Sequence, residues 1–222
     1  MEENQTTEEQ NAVADDGQPM LTDVEARVLG ALMEKQLTTP DAYPLTLNSL
    51  VTACNQKTSR EPVMNLENGA VQRCLNQLRD RSLVEVEYGS RAERYRQRLS
   101  RALHQAKEEH AIFAVMMLRG PQTVSELYTR TQRMFEFDSP GDVEDLLDKL
   151  LGRLKPLIRK MPRQPGMRED RYMHLLCGEP DPMAYKPSPV RTTESRDELE
   201  ARVAALEAQV ARLLNELGLD EG

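Results

Sequence analysis

Residues 66–99 read LENGAVQRCLNQLRDRSLVEVEYGSRAERYRQRL, and the fold turns on this stretch. Val71, Cys74, Leu75 and Leu78 recur three and four residues apart, the stripe of a helix over residues 67–81 with one buried face. Gln72, Arg73, Asn76, Gln77 and Arg79 lie off that stripe and offer donors rather than acids. Strands over residues 83–87 and 93–99 follow, joined by the turn Tyr88-Gly89-Ser90-Arg91. Because side chains alternate along a strand, Arg94, Arg96 and Arg98 share one face, an electropositive strip, and Tyr95, Gln97 and Leu99 share the other. A helix of this kind followed by an Arg-rich hairpin is the output end of a winged helix: a recognition helix for the major groove and a wing for backbone or minor groove.

Upstream, Thr22 and Glu25 have capping-box spacing, and Val24, Val28, Leu29, Leu32 and Met33 then form an apolar stripe running to about residue 36. Pro40 and Pro44 break the chain before a second helix over residues 46–55, with Leu47, Leu50, Val51 and Cys54 inward. Within the polar loop 56–65, residues 57–64 are the one polar segment whose composition is more particular than solvent exposure requires, and the loop is read as a cap for the third helix.

Downstream, the pattern repeats. Ser100 is placed to cap a long helix over residues 101–119 that Gly120-Pro121 ends. Thr123 with Glu126, and Ser139-Pro140, open two further helices, and strands over residues 157–161 and 171–177 flank a turn. Gly69, Val71, Leu75, Leu78 and Arg81 match Gly141, Val143, Leu147, Leu150 and Arg153 at a constant offset of 72, and Leu47 and Leu50 match Val124 and Leu127 at 77. The expected architecture is mainly α with small β-hairpins, an α+β class. It comprises a winged helix over 21–99, then a linking helix and second winged helix over 100–177.

Flanking segments differ in character. Residues 1–20 read as a disordered acidic tail and 178–194, with Pro180, Pro182, Pro187 and Pro189, as a stiff linker. Within residues 195–218, Leu199, Val203, Leu206, Val210, Leu213 and Leu217 alternate four and three apart, a heptad with Val at a and Leu at d that suits a parallel two-stranded coil. A homodimer and a helix packed on its own domain both remain open.

The net charge of -8 is unevenly distributed. Residues 1–25 hold eight acids and no base and residues 178–222 ten acids against five bases, leaving 24 bases against 19 acids in residues 26–177. The folded middle is therefore mildly basic, which suits phosphate. Cys54, Cys74 and Cys177 form no CxxC pair, and His104, His110 and His174 are too scattered to complete a ligand set, so buried thiols and no metal or cofactor are expected. With no long apolar run and no basic, apolar leader, a cytoplasmic protein without membrane contact is expected.

The runs Leu45-Thr46-Leu47-Asn48-Ser49-Leu50, Thr52-Ala53-Cys54-Asn55-Gln56-Lys57-Thr58, Arg60-Glu61-Pro62-Val63-Met64 and Arg171-Tyr172-Met173-His174-Leu175 resemble the YceH family of bacterial proteins. The resemblance covers about residues 21–179 and implies a tandem winged-helix fold. It implies no catalytic or ligand residue, and the family's function is not established.

Two functions follow from the residues. The first is duplex DNA binding, in transcription control: Arg73, Asn76 and Gln77 match base edges, with Arg91, Arg94, Arg96 and Arg98 near phosphates. The second is a protein-interaction scaffold. The helix near residues 141–153 displays Asp142, Glu144, Asp145 and Asp148, acids that repel phosphate, so the second unit is expected to hold a protein partner or a second copy. Catalysis is not expected, since the chain has no Gly-rich phosphate loop, nucleophile elbow or metal-ligand spacing.

Overall fold

Thr22 opens the fold. Its hydroxyl accepts from the Glu25 N–H while the Glu25 carboxylate accepts from the Thr22 N–H, and α1 (Asp23–Thr38) follows this reciprocal cap. A 3-10 turn (Pro40–Ala42), β1 (Leu45–Thr46), α2 (Leu47–Cys54), α3 (Asn68–Asp80), β2 (Val84–Tyr88) and β3 (Glu93–Gln97) complete the first unit. The computed structural model describes residues 20–89, 92–163 and 169–180. Arg91, most of the acidic tail, the linker beyond Pro180 and the heptad positions Leu199, Val203, Leu206, Val210, Leu213 and Leu217 lie outside the described residues.

The first sheet is antiparallel with order β1-β3-β2, and Tyr95 of β3 lies opposite both Leu45 and Val86. The two-residue β1 is an element that the helical periodicity of residues 46–55 conceals. Thr46 serves twice, ending the strand and accepting from the Ser49 N–H as the cap of α2. At the other end of α3, Ser82 adopts φ 58°, the Ser82 N–H bonds the Arg79 carbonyl and the Leu83 N–H bonds the Leu78 carbonyl. That is a Schellman termination, and it turns the chain directly into β2.

The expected long helix over residues 101–119 is in fact two: α4 (Leu99–Ala102) and α5 (Lys107–Arg119). His104 sits at φ 50°, with its N–H on the Arg101 carbonyl and the Gln105 N–H on the Ser100 carbonyl, so a second Schellman motif stops α4 after one turn. Ser100 is not a cap. It lies inside α4, where its N–H donates to Gln97 Oε1 and its hydroxyl accepts from Gln97 Nε2. Beyond α5, Gly120 at φ 74° ends the helix, α6 (Val124–Thr131) starts at the expected box of Thr123 with Glu126, and α7 (Pro140–Leu151) starts at Ser139-Pro140, where Ser139 and Asp142 form a further capping box. β4 (Ile158–Met161) and β5 (Arg171–His174) pair antiparallel, and Gln122 bridges to Tyr172.

The internal repeat extends beyond the positions legible as apolar spacing. At offset 77 the Leu45–Tyr95 pairing of the first unit becomes the Gln122–Tyr172 bridge of the second. Arg94 Nη1 donates to the Pro44 carbonyl at 2.9 Å, and Arg171 Nη1 to the Pro121 carbonyl at 2.8 Å. Buried Glu25 on α1 pairs with Arg81 just after α3, and buried Glu109 on α5 pairs with Arg153 just after α7. The two units share one hydrophobic core in which α1 packs on α5, with Leu29, Leu32, Phe113 and Met116 fully buried. A Cβ on Gly30 would lie 3.0 Å from Met117 Cβ and 3.1 Å from Leu118 Cγ, so α1 approaches α5 where only glycine fits without displacement.

Candidate nucleic-acid interface

α3 presents its polar face to solvent. Val71, Cys74, Leu75 and Leu78 are buried, while Arg73, Asn76, Gln77 and Arg79 are exposed. Arg73 makes no ion pair among the described residues, and Arg79 lies 3.6 Å from its exposed neighbour Asp80. Asn76 is oriented from below, since its Oδ1 accepts from Gln72 Nε2 at 3.3 Å. The Tyr95 hydroxyl lies 3.2 Å from Gln72 Oε1 and 2.9 Å from Glu93 Oε2, acceptors between which its single proton is shared. Burial pushes the Tyr95 hydroxyl above its ordinary pKa, so it stays a donor to this chain of contacts. The network links α3 to β3 and holds Gln72 as a support for Asn76 rather than as a free reader.

The hairpin differs from the strip of free arginines that the strand alternation suggests. Tyr95 and Gln97 are buried and Arg94 and Arg96 lie on the opposite face, as alternation requires, while β3 ends at Gln97, two residues short of the expected strand, so that Arg98 precedes α4. The same alternation in β2 places Glu85 and Glu87 on that face too. Arg96 pairs with Glu87, Arg98 with Glu85 at 2.5 Å, and Arg94 is turned onto the Pro44 carbonyl. Cross-strand neighbours thus neutralise the strip, a pairing readable from Val84-Glu85-Val86-Glu87 once the two strands are set opposite each other. Tyr88, at the end of β2, is 77% exposed.

The particular loop before α3 acts as a strap. Asn55 clasps Leu66, its Nδ2 donating to the carbonyl and its Oδ1 accepting from the N–H, which sets the entry to α3. Its stronger anchors lie elsewhere. Arg27 on α1 is fully buried and donates to the Cys54 and Pro62 carbonyls at 3.2 and 2.7 Å. Arg60 grips both oxygens of Glu34 at 3.1 and 2.7 Å and donates to the Ala53 carbonyl, while the Glu61 N–H bonds the Leu118 carbonyl of α5. Burial opposes ionisation of Glu34, yet the hydrogen bonds and charge of Arg60 hold its carboxyl below the usual carboxylate range. Residues 56–65 therefore fasten α2 and α3 to the α1–α5 pair.

On α7 the corresponding face is acidic. Asp142, Glu144, Asp145 and Asp148 are exposed, with Lys149 among them. The β4–β5 hairpin is basic but engaged: Arg159 pairs with Glu179, and Lys160 and Arg163 lie 2.9 and 2.6 Å from Asp170. Hydrogen bonds from Arg163 and Lys160 pull the Asp170 carboxyl down to about 2. The three cysteines are free, and Cys54 and Cys74 are buried.

Residues 21–167 match the family model described as "Protein of unknown function, DUF480". The chain belongs to this family. A UPF0502 protein of Cellvibrio japonicus is 57% identical over 207 residues, covering 88% of this chain and 95% of that protein. One from Mesorhizobium japonicum is 46% identical over 195 residues, 88% of this chain and 93% of that protein. One from Azotobacter vinelandii is 52% identical over 158 residues, 71% of this chain and 70% of that protein. These matches agree with the YceH resemblance carried by the motif residues. Several of those residues, Cys54, Asn55, Arg60, Glu61, Pro62 and Arg171, build the strap and the second hairpin. Among the described residues, no helix is long and apolar enough to cross a membrane.

Proposed function

We propose that the first unit is a winged-helix module that binds duplex DNA through α3, in a cytoplasmic, non-enzymatic regulator of transcription. The observation that carries this reading is the exposed face of α3, where Arg73 lacks an acidic partner among the described residues and stands with Asn76 and Gln77. Arg and amide side chains match guanine and adenine edges with paired hydrogen bonds. Arg94, Arg96 and Arg98 serve the hairpin's own structure first, so phosphate contact there comes from exchange of Glu85 and Glu87 for phosphate oxygens, together with Arg91 at the turn. The heptads over 199–217 would supply a second copy, matching two half-sites.

The test is binding of the full chain to random and genomic duplexes by fluorescence anisotropy across a salt series. Affinity that falls steeply with salt, and that is lost in Arg73→Glu with Gln77→Glu, supports the reading. Affinity indifferent to both overturns it. The exposed acids of α7 favour a second reading, an assembly scaffold without DNA contact. It predicts no duplex binding even at low salt, together with a protein partner whose capture is lost in Asp145→Arg with Asp148→Arg.

A further inference from the structure

The chain enters the fold at the C-terminal end of α3. The Met20 carbonyl accepts from Arg81 Nη2 at 2.8 Å, and Arg81, the residue that follows α3, is itself held by Glu25 at 2.9 Å. Immediately before Met20 stand nineteen residues with six acids, Glu2, Glu3, Glu8, Glu9, Asp15 and Asp16, and no Lys or Arg. Resting on the DNA reading of α3, we infer that residues 1–19 are a built-in competitor for phosphate, docking their carboxylates on the exposed face of α3 around Arg73 and Arg79.

Reach and charge select this face. Asp16 and Asp15 precede Met20 by four and five residues, at most about 13 to 18 Å of extended chain. Arg79 and Arg73 precede Arg81 by two and eight residues along the helix, about 3 and 12 Å of axial rise. Glu8 and Glu9 reach beyond the whole of α3. The cations of the two hairpins are already answered: Arg96 and Arg98 by Glu87 and Glu85, Arg159 by Glu179, Lys160 and Arg163 by Asp170. On α3, Arg79 has only its sequence neighbour Asp80 and Arg73 has no acid among the described residues.

Each exposed carboxylate–guanidinium pair is weak, but tethering supplies the acids at an effective concentration in the millimolar range. A duplex, which brings many phosphates at once, displaces them. Weak or non-cognate DNA does not. The acidic segment would thus act as a threshold, and it also accounts for a strongly negative end on a chain whose folded middle is basic.

The first measurement needs no DNA. A spin label on Thr7→Cys in the full chain broadens the amide resonances of Arg73, Asn76 and Gln77 at low salt, and they recover in about 0.5 M NaCl, where screening is nearly complete. In the second, the chain lacking residues 1–19 and the chain with all six acids changed to Gln or Asn each bind a duplex about tenfold more tightly than the unaltered chain. Broadening that spares α3, or equal affinities in the three chains, overturns the inference. If the label broadens α3 while none of the chains binds duplex DNA, docking of the acidic segment stands and the DNA reading of α3 falls.

Discussion

The two units differ least where they are buried and most where they are exposed. At offset 72, Val71, Leu75, Leu78 and Arg81 become Val143, Leu147, Leu150 and Arg153, and the pairing of Arg81 with buried Glu25 returns as that of Arg153 with buried Glu109. At the same offset the exposed trio Arg73, Asn76 and Gln77 becomes Asp145, Asp148 and Lys149. The core positions keep the packing that sets the helix orientation, and the exposed positions are free to set the partner. One scaffold thus presents a polar, donor-rich helix and an acidic one in a single molecule.

The largest expected effect concerns a buried position where the units diverge. His174 occupies the place that Gln97 holds in the first unit. Gln97 is well partnered, bonding Gln36 and Ser100, whereas burial pushes the His174 imidazole down to about 4. Burial also lowers His110 to about 4, against a hydrogen bond to the Met33 carbonyl. Both are neutral in the fold and protonate near 6.5 once unfolded, so their contribution is complete above about pH 6.5 and is lost as pH falls toward 4. The loss is on the order of 3 kcal/mol for each imidazole. Urea unfolding between pH 7 and 4.5 should show this decline, and His174→Gln should remove about half of it. An unchanged slope in that variant would place the sensitivity away from His174.

Somewhat smaller is the cost of breaking the repeated ion pair. Arg81→Ala strands a carboxylate whose side chain is 6% exposed, at a cost of about 2 to 3 kcal/mol. Arg153 is 36% exposed, so Arg153→Ala should cost less, about 1 to 2 kcal/mol after allowance for solvent screening. Denaturant midpoints measure both. A negligible cost in the second unit would mean that the pair's recurrence is geometric and not energetic.

Sequence periodicity located nearly all the helices because they carry buried stripes of apolar residues, and α1, α2, α6 and α7 also start at side-chain caps, Thr22, Thr46, Thr123 and Ser139. It missed what has no periodic signature. β1 is two residues long, and the stop after α4 depends on His104 taking a left-handed backbone, which a non-glycine residue does not announce. For the candidate site, the exposed side chains of α3 were legible from one helix alone. The state of Arg94, Arg96 and Arg98 was not, because their partners Glu85, Glu87 and the Pro44 carbonyl lie on neighbouring strands or just before one. The strap was likewise hidden, since Arg27 lies on α1, far from the loop in sequence, and binds carbonyls rather than an acid.

The contrast between α3 and α7 can be broken by exchanging charge. Arg73→Glu should weaken duplex binding by about tenfold at low salt, the effect of losing one well-placed base or phosphate contact and adding a repulsion. Asp145→Arg, at the equivalent position of α7, should leave affinity within about threefold if that helix faces away from DNA. A matching gain from Asp145→Arg would show instead that both units approach the duplex. An unaltered affinity in Arg73→Glu would remove α3 from the interface.

The smallest effect lies in the first hairpin and discriminates between its two uses. Arg96 and Glu87 are each 43% exposed, so their pairing should contribute no more than about 1 kcal/mol in a double-mutant cycle of Arg96→Ala with Glu87→Ala. Stability therefore gives the hairpin arginines little reason to be arginine, and their engagement by Glu85 and Glu87 is weak enough to be exchanged. If phosphates take over these guanidiniums, Glu87→Gln should raise duplex affinity about two- to threefold, by removing a competitor and a repulsive charge, while Arg96→Gln lowers it by a similar factor and makes binding less salt-dependent. Should Glu87→Gln leave affinity unchanged, the arginines of β3 serve the sheet alone, and contact with DNA would rest on α3.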